Sequence, residues 1–420
     1  MSEPSPPPAA SSPPAASPPS AASPPPEVPS QPLPLRIGVA AAFDPRDMQA
    51  DSGAAGAVLQ ALHEVVAEAV PLSGALPART RRATQLASLA ARMRPRDLGD
   101  PRAAAKRLFR ATQLGRPTIA ARNRLMRERV AAAGRLDGIV QRGCELVLPP
   151  GQRFVTYEDS TVLQAVTYPW PHLQALSEGD VRRYEARQRA VYAAAAACCA
   201  CTQWAADSIT GSYGVPAERV FVVGLGQNHP ARAVTPRDWS VPRLLFVGVD
   251  WERKNGPAVL RAFARVRELH PDARLEVVGG HPRLDAPGVT GHGPLSRTDP
   301  GDRERVAALY ASATAFVMPS LHEPAGIVFV EAGAAGVPSI GGSDGGAATM
   351  IGPGGVVVDP HDGERIYAAM LELADPETAQ RLGALAERHA SLFTWRKVAE
   401  RLVRALAIPG VDADGLADFL

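Results

Sequence analysis

Short apolar runs alternate with longer amphipathic stretches along the chain from residue 34 onward. Each apolar run is rich in Val, Ile, Leu or Ala, as expected of a buried strand. In the N-terminal half, predicted strands cover residues 34–42, 68–72, 137–141, 145–148, 154–157, 198–202 and 220–223. Intervening patterns predict helices at 54–66, 178–197 and 204–213. This alternation predicts an α/β fold in which a mostly parallel sheet carries helices on both faces.

The same alternation starts again at residue 243. Predicted strands at 244–247, 275–278, 315–318 and 356–358 are separated by predicted helices at 257–269, 303–311 and 363–373. The polar, proline-bearing stretch 227–241 separates the two series. Because 420 residues exceed one typical hydrophobic core, we predict a first domain at 34–233 and a second at 234–393. Residues 394–406 have helical periodicity and begin a C-terminal segment, 394–420.

The N-terminal segment and the cysteines narrow the class of protein. Residues 1–33 are almost entirely Pro, Ala and Ser. Such a segment buries too little to fold, so a disordered tail is expected. It lacks the basic start and apolar centre of a signal peptide, and no run of about 20 apolar residues suggests a membrane span. The cysteines have neither disulfide-framework nor zinc spacing, so we expect free buried thiols in a cytoplasmic protein. They are Cys144, Cys198, Cys199 and Cys201.

The most informative stretch is His322-Glu-Pro-Ala-Gly-Ile-Val-Phe-Val-Glu331, which follows the predicted strand at 315–318. Pro324 disfavours helical geometry at Glu323, so Glu323 is expected in a loop before the helix that carries Glu331. The first amides of that helix would be free donors suited to an anion. They belong to Ala325, Gly326 and Ile327. Two carboxylates beside an anion site fit a nucleotide sugar, with hydroxyls at both ends and phosphate between. The alternative is a pair of solvated surface carboxylates.

Here the sequence resembles the retaining family 4 glycosyltransferases of the GT-B fold, whose hallmark is two Glu separated by seven residues. Further segments fall in the family's order and spacing, namely 244–256, 275–280, Gly345-Gly346 and 356–360. The resemblance covers roughly residues 236–375, and the N-terminal half more loosely. It implies two Rossmann-like, doubly wound domains facing a cleft, with the C-terminal helix crossing back to the first domain.

The resemblance also implies an activity. The chain would transfer a sugar from a nucleotide diphosphate donor to an acceptor hydroxyl, with retention and without a metal ion or bound cofactor. Retention could proceed by double displacement through a covalent intermediate. It could also proceed by attack on the same face as the departing phosphate, the route by which the family is usually described. An epimerase or hydrolase of the same fold, or a non-catalytic sugar-nucleotide-binding partner, are the alternative functions.

A basic pair after the predicted strand 244–247 would stabilise a departing diphosphate, because open sheets bind ligands at that edge. Lys254 carries over directly from the family pattern. The family's usual Gly-Arg is Gly248-Val249 in this chain, so we predict that Arg253 takes the place of the missing arginine. A solvated basic turn is the alternative. We also predict that Gly248 is a donor-binding residue.

The resemblance assigns roles to the remaining candidates. Glu323 would contact the transferred sugar near its reacting carbon, and Glu331 would hold the ribose hydroxyls. The amides of Gly326 and Ile327 would bind the sugar or phosphate. In the first domain, Ser52-Gly53 resembles the family's small-residue loop that approaches the donor phosphate.

Two further candidates have plain alternatives. Asp159 lies where relatives often carry a histidine, and it is a candidate for acceptor deprotonation or a sugar contact. It could equally cap a helix. His292, in the loop 291–295, is a candidate for contact with the donor base, or it is an ordinary exposed histidine.

The net charge is only +2, but residues 79–129 form a basic stretch. It contains fifteen Arg and Lys and three acidic residues, Asp97, Asp100 and Glu128. Arg-rich helices hold anionic lipid headgroups at ~1 kcal/mol per charge. This stretch therefore predicts either peripheral contact with the inner membrane face or a solvated basic surface. Several family relatives dock on membranes to reach lipid-linked acceptors. No aromatic interleaving accompanies the charge, which disfavours nucleic acid. The acceptor stays open between a glycan, a lipid-linked and a small molecule.

Overall fold

The computed structural model of the chain describes residues 31–90, 112–168, 173, 176–228 and 237–420. The first of its two sheets has six parallel strands in the order β2-β1-β3-β4-β5-β6. These strands are β1 (Leu33–Ala41), β2 (Val66–Ser73), β3 (Gly138–Arg142), β4 (Phe154–Glu158), β5 (Ala197–Ala200) and β6 (Val220–Val222). The order reverses at β1, between β2 and β3, and open sheets bind ligands at such a point.

The second sheet is also six-stranded and parallel, in the order β12-β11-β10-β7-β8-β9. Its strands are β7 (Arg243–Gly248), β8 (Arg274–Gly279), β9 (Val289–Gly293), β10 (Ala315–Met318), β11 (Ser339–Gly342) and β12 (Gly355–Val358). Here the order reverses at β7, between β10 and β8. The loops after β7 and β10 carry Lys254 and Glu323.

Helices connect the strands of both domains. Those of the first domain are α1 (Ala54–Val65), α2 (Ala78–Ala90), α3 (Arg116–Ala133), α4 (Val162–Ala165), α5 (Glu178–Ala194) and α6 (Gln203–Gly211). Those of the second are α7 (Gly256–Leu269), α8 (Pro300–Ser312), α9 (Ile327–Ala334), α10 (Ala347–Ile351), α11 (Gly363–Glu372) and α12 (Pro376–Ala390). Side-chain caps satisfy the first amides of several of these helices. Ser177 and Thr161, for example, each form a reciprocal capping box.

The last helix, α13 (Trp395–Leu406), crosses back and packs against α1 of the first domain. Its apolar stripe includes the fully buried Val398, Leu402 and Leu406, and burial of one such side chain contributes about 1.5–3 kcal/mol. Arg401 is 2% exposed and donates to three carbonyls. They belong to Val223 (3.0 Å), Leu392 (2.8 Å) and Asp418 (2.6 Å). The predicted crossing helix is therefore confirmed.

Most predicted elements are present, with ends that differ by a few residues. The strand predicted at 145–148 is wrong, because that segment is a loop after β3. Two strands, β9 and β11, were not predicted. The four cysteines are free and buried, as expected. Most of the predicted 1–33 tail, residues 91–111 of the basic stretch and most of the interdomain connection lie outside the described residues.

Candidate active site

A cavity of about 830 Å³ is lined by residues that follow the carboxyl ends of strands in both sheets. From the first domain, Asp51, Arg142 and Asp159 come at or after the ends of β1, β3 and β4. From the second, Arg253 and Glu323 follow β7 and β10. Since ligands of open parallel sheets bind at this edge, the cavity is the candidate active site.

Glu323 lies in the loop between β10 and α9, as predicted, and the glycine-rich segment after β11 fixes that loop. The Glu323 amide donates to the Asp344 carbonyl (3.0 Å), and the Gly346 amide donates to the Glu323 carbonyl (2.8 Å). Gly345 has a φ of +121°, and a Cβ there would overlap the Glu323 carbonyl, so glycine is required at this position. Glu323 is 7% exposed. The glycine-rich segment 341–346 therefore supports the loop that carries Glu323.

Two cations from the turn after β7 meet Glu323. The Lys254 ammonium contacts the Glu323 carboxylate directly, and both side chains are buried. Arg253 Nη1 donates to the His322 carbonyl (2.8 Å) and lies 3.9 Å from Glu323 Oε2. Burial, and then the charge of Arg253, lowers the pKa of Lys254 well below its ordinary value, while contact with Glu323 favours the ammonium form. The structure thus brings Glu323, Lys254 and Arg253 together on one wall of the cavity.

Gly248 and Gly326 leave room for neighbouring side chains at this wall. A Cβ on Gly248 would lie 2.9 Å from Lys254 Cγ, so glycine there lets the lysine stem fold against β7. Gly326 precedes α9 with a φ of +85°, and a Cβ on it would lie 2.6 Å from the Phe329 ring. Because α9 begins at Ile327, the amides of Ile327 and Val328 have no intrahelical acceptor, whereas the Phe329 amide donates to the Gly326 carbonyl (3.0 Å). Ala325, Gly326 and Ile327 all line the cavity.

Glu331 is also buried at the cavity wall and accepts two hydrogen bonds. Its Oε2 accepts from the Tyr310 hydroxyl (3.2 Å), and its Oε1 accepts from the Asn228 amide (3.3 Å). Burial raises the pKa of Glu331 to about 7, although these two hydrogen bonds and the charge of Arg297 oppose the rise. This carboxyl therefore changes its charge near neutral pH.

The first-domain wall is built on a turn at residues 51–53 and on Arg142. Asp51, Ser52 and Gly53 all have left-handed backbone conformations, with φ of 50°, 55° and 83°, which costs a non-glycine residue roughly 1–2 kcal/mol. Gly53 is buried and precedes α1; Asp51 and Ser52 line the cavity. Arg142 is buried and holds the Asp51 carboxylate by two hydrogen bonds, of 2.5 and 2.9 Å.

Asp159 belongs to the same cluster. Arg142 Nη2 donates to Asp159 Oδ2 (3.1 Å), and Arg142 Nη1 donates to the Tyr157 carbonyl (3.0 Å). Burial alone would lower the pKa of Arg142, but the charges of Asp51 and Asp159 raise it well above its ordinary value. Asp159 is not a helix cap, because Thr161 caps α4. Asp159 therefore faces the cavity as one of two carboxylates held by a single guanidinium.

A second set of contacts joins the domains beside Glu323. Tyr168 of the first domain stacks on His322, and its hydroxyl donates to Asp344 Oδ1 (2.5 Å). Trp204 lies against the same imidazole, with ring centroids 5.5 Å apart. Burial, followed by the charges of Arg253 and Lys254, lowers the pKa of His322 to about 3. This imidazole is therefore neutral at physiological pH and acts as a packing surface for the first domain.

Two predicted donor-binding residues, Gly53 and His292, do not line the cavity. Gly53 lies between Ser52 and Ala54, which do line it. His292 Nε2 lies 2.6 Å from Oε2 of Glu276 on the neighbouring strand β8. The neighbouring residues Pro294, Leu295 and Arg297 do line the cavity. The loop after β9, rather than His292 itself, therefore lines the cavity.

The sequence interpretation missed several residues that the fold brings to the cavity or to Glu331. Asp51, Arg142 and Arg297 line the cavity, and Asn228 and Tyr310 donate hydrogen bonds to Glu331. Arg142 gave a usable signal, because a charged residue ended an apolar strand. The others meet the site only through contacts between distant segments, for which a single sequence carries no periodic signal.

The arrangement can bind a molecule with a phosphate-rich centre. Cations and free amides lie on the second-domain wall, with one carboxylate at each end of the α9 entrance. Within the described residues, no group of three or more His, Cys, Asp or Glu is disposed to hold a metal ion. Among the helices of the described segments, none is long and apolar enough to cross a bilayer.

Comparison with known proteins agrees with the second domain's sequence pattern. Residues 241–375 match the family described as Glycosyl transferases group 1. The chain is 33% identical over 261 residues to a D-inositol 3-phosphate glycosyltransferase of Thermobifida fusca, covering 55% of this chain and 60% of that one. It is 36% identical over 174 residues to a GDP-mannose-dependent alpha-(1-6)-phosphatidylinositol monomannoside mannosyltransferase of Mycolicibacterium smegmatis, covering 37% and 45%. The chain spans about half the length of the relatives it matches.

Solved structures share the arrangement of the two sheets. A glycosyltransferase from Rickettsia africae superposes with a TM-score of 0.57 at 12% identity, covering 90% of this chain and all of that one. Sucrose-phosphate synthase from Thermosynechococcus elongatus superposes with a TM-score of 0.51 at 22% identity, covering 69% and 78%. At these identities the likeness concerns the fold alone. Residues 241–375 are therefore similar to the Glycosyl transferases group 1 family, and the chain has the GT-B fold.

Proposed function

We propose that this protein is a retaining glycosyltransferase, which moves a sugar from a nucleoside diphosphate donor to an acceptor hydroxyl. The observation that carries the proposal is the grouping of Glu323, Lys254 and Arg253 at the entrance of α9, with Glu331 further along the helix. This grouping lies in a cavity that both domains line. The relatives are named as glycosyltransferases, which supports the same activity.

The donor would lie along the α9 entrance with its nucleoside toward Glu331. Glu331 lies four positions after Ile327, a rise of about 6 Å along a helix. That rise spans the step from a ribose to the first phosphate. The ionised Glu331 would accept the ribose hydroxyls, and the amides at the start of α9 would bind phosphate oxygens. The sugar would then lie between Glu323 and the first-domain wall.

Cleavage of the sugar–phosphate bond leaves negative charge on the diphosphate, which Lys254 and Arg253 would stabilise. Such groups act most strongly where water is excluded, and Lys254 is buried. A bound diphosphate would raise the pKa of Lys254, because negative charge favours the ammonium form. These cations and amides supply the charge compensation that a metal ion gives in other transferases, so the proposed reaction needs no metal.

Retention requires that the acceptor end on the face that the phosphate leaves. We favour same-face attack, because contact with Lys254 weakens Glu323 as a nucleophile. In that route the acceptor oxygen bonds to the anomeric carbon while the sugar–phosphate bond breaks. The acceptor proton passes to the departing phosphate oxygen. Asp159 would position the acceptor hydroxyl from the opposite wall.

The test is transfer from a panel of UDP-, GDP-, ADP- and dTDP-sugars, beginning with GDP-mannose. Acceptors would include D-inositol 3-phosphate and phosphatidylinositol mannosides, which the relatives' names suggest. NMR of the product would report the anomeric configuration, and a chelator would test metal independence. We expect Glu323→Ala to abolish transfer while folding and nucleotide binding persist.

Normal transfer by Glu323→Ala would refute the site assignment. Epimerised or free sugar without any acceptor would instead indicate an epimerase or hydrolase that uses the same pocket. Donor binding without turnover against every acceptor would indicate a non-catalytic binding partner.

A further inference from the structure

Asn228 lies at the start of the connection between the two domains and bonds to three separate parts of the molecule. Its backbone amide donates to Glu331 Oε1 (3.3 Å). Its side-chain Nδ2 donates to the Ser52 carbonyl (3.1 Å), and its Oδ1 accepts from Trp395 Nε1 (3.3 Å). One residue therefore touches the second-domain helix α9, the first-domain turn and the crossing helix α13.

Each of these partners is constrained by other contacts. The Ser52 carbonyl belongs to the left-handed turn at 51–53, and it also accepts from Arg297 Nη1 of the second domain (2.9 Å). Trp395 is the first residue of α13, and a Cβ on Gly226 would overlap its indole. The chain at 226–228 thus runs closely over Trp395 before it leaves the first domain. A displacement of Asn228 would therefore change its hydrogen bonds to all three partners.

The side-chain chemistry at position 228 fits this bridging role. A primary amide offers a donor and an acceptor on one short side chain, and both are used here. An aspartate could still accept from Trp395, but it has no N–H for the Ser52 carbonyl. It would also add a negative charge close to Glu331.

We infer that Asn228 is a positioning residue that couples nucleotide binding at Glu331 to the first-domain turn and to α13. The inference rests on the proposed function, because it assigns the nucleotide to Glu331. A nucleotide that fixes Glu331 also fixes the Asn228 amide, and the side chain then fixes Ser52 and Trp395. Coupling of this kind is reciprocal, so an ordered first-domain turn tightens nucleotide binding.

A double-mutant cycle on nucleotide binding tests the coupling without requiring turnover. Titration calorimetry with UDP, GDP, ADP and dTDP would be performed on the full-length wild type, on Asn228→Ala, on Glu331→Gln and on the double variant. We expect Asn228→Ala to weaken binding about tenfold, the effect of one or two hydrogen bonds. In the Glu331→Gln background it should change binding little, because residues that act through one another are not additive.

Arg153→Gln is the matched control. Arg153 also ties the first domain to α13, since it donates to the Leu406 and Ala407 carbonyls, but it does not contact Glu331 or Ser52. Nucleotide affinity of this variant should equal that of the wild type. If Asn228→Ala does not fold, Trp395→Phe replaces it in the cycle, because that change removes only the indole N–H donor to Asn228.

Additive effects of the two substitutions, or wild-type affinity in folded Asn228→Ala, would overturn the inference. If the wild type binds none of the four nucleotides, the inference and the proposed function are both overturned. If the double-mutant cycle gives the expected result but no sugar is transferred to any acceptor, the inference stands and only the proposed transfer reaction is overturned.

Discussion

Acidification from pH 8 to pH 6 should weaken nucleotide binding through Glu331. Burial raises the pKa of this carboxyl to about 7. The rise is limited by hydrogen bonds from the Tyr310 hydroxyl and the Asn228 amide and by the charge of Arg297. In the proposed complex, only the ionised carboxylate would accept hydrogen bonds from both ribose hydroxyls. Protonation would therefore remove acceptors for the nucleotide, and affinity should fall as pH falls.

The magnitude follows from the titration. At pH 6, one unit below a pKa of about 7, roughly a tenth of the carboxyl is ionised, which corresponds to about 1.4 kcal/mol and a tenfold loss of affinity. The sign is opposite for folding. Because the folded pKa exceeds the ordinary value of 4.5, this carboxyl makes folding less favourable as pH rises from about 4.5 through 7. The two pH dependences are therefore separable.

Calorimetric titration of a nucleoside diphosphate at pH 6, 7 and 8 measures the effect. Glu331→Gln should abolish the pH dependence, and Tyr310→Phe should move its midpoint upward because a hydrogen bond to the ionised form is lost. Glu158→Gln, on the first-domain side of the same cavity, is the matched control. Burial also raises the pKa of Glu158 to about 7, but its oxygens are held by Cys144, Gln188 and Tyr192 of the first domain. The reasoning is refuted if Glu331→Gln retains the wild-type pH dependence.

Three further outcomes test other parts of the structure. Lys254→Met should lower kcat by about 100-fold or more with a smaller change in KM, and a kcat close to the wild type would exclude a role in charge stabilisation. Gly326→Ala should lower the free energy of unfolding, measured by urea denaturation, by roughly 1–3 kcal/mol. The reasons are its left-handed backbone and the Phe329 ring, which would lie 2.6 Å from the new Cβ. Gly363→Ala should leave that free energy nearly unchanged, because its Cβ would meet nothing within 4 Å. Arg401→Met should lower the free energy of unfolding by about 2 kcal/mol or more, because three carbonyls lose their donor. Arg381→Met, on the exposed face of α12, should not lower it. Equal stabilities of the two variants would show that water replaces the guanidinium.

The sequence predicted the sheets well because buried parallel strands are short apolar runs, and the runs at 34–42, 244–247 and 315–318 are clear cases. The false strand at 145–148 has the same composition. Its Leu146 and Leu148 are buried, yet the Gln141 side chain donates to the Gly143 and Leu146 carbonyls and so takes the place of a neighbouring strand. The missed strands β9 and β11 are short and each contains two glycines, which weakens the apolar signal.

The second-domain wall of the site was predictable, whereas the first-domain wall was predicted only at Ser52 and Asp159, which line the cavity. Lys254, Glu323 and Glu331 belong to local patterns, in which strand, turn and helix follow directly along the chain. Arg142 instead meets Asp51 from 91 positions away, and Asn228 meets Ser52 from 176 positions away. Such pairs depend on how the domains fold and dock, and no local pattern of residue types encodes them.

The four buried thiols all lie between residues 144 and 201, in the first domain, and the second domain has no cysteine. Burial raises the pKa of each thiol, so little reactive thiolate forms in the native state. A thiol-modifying reagent should therefore label the chain only when the first domain opens, whatever the second domain does. Unmodified protein thus carries a natural chemical probe that reports the opening of one domain separately from the other.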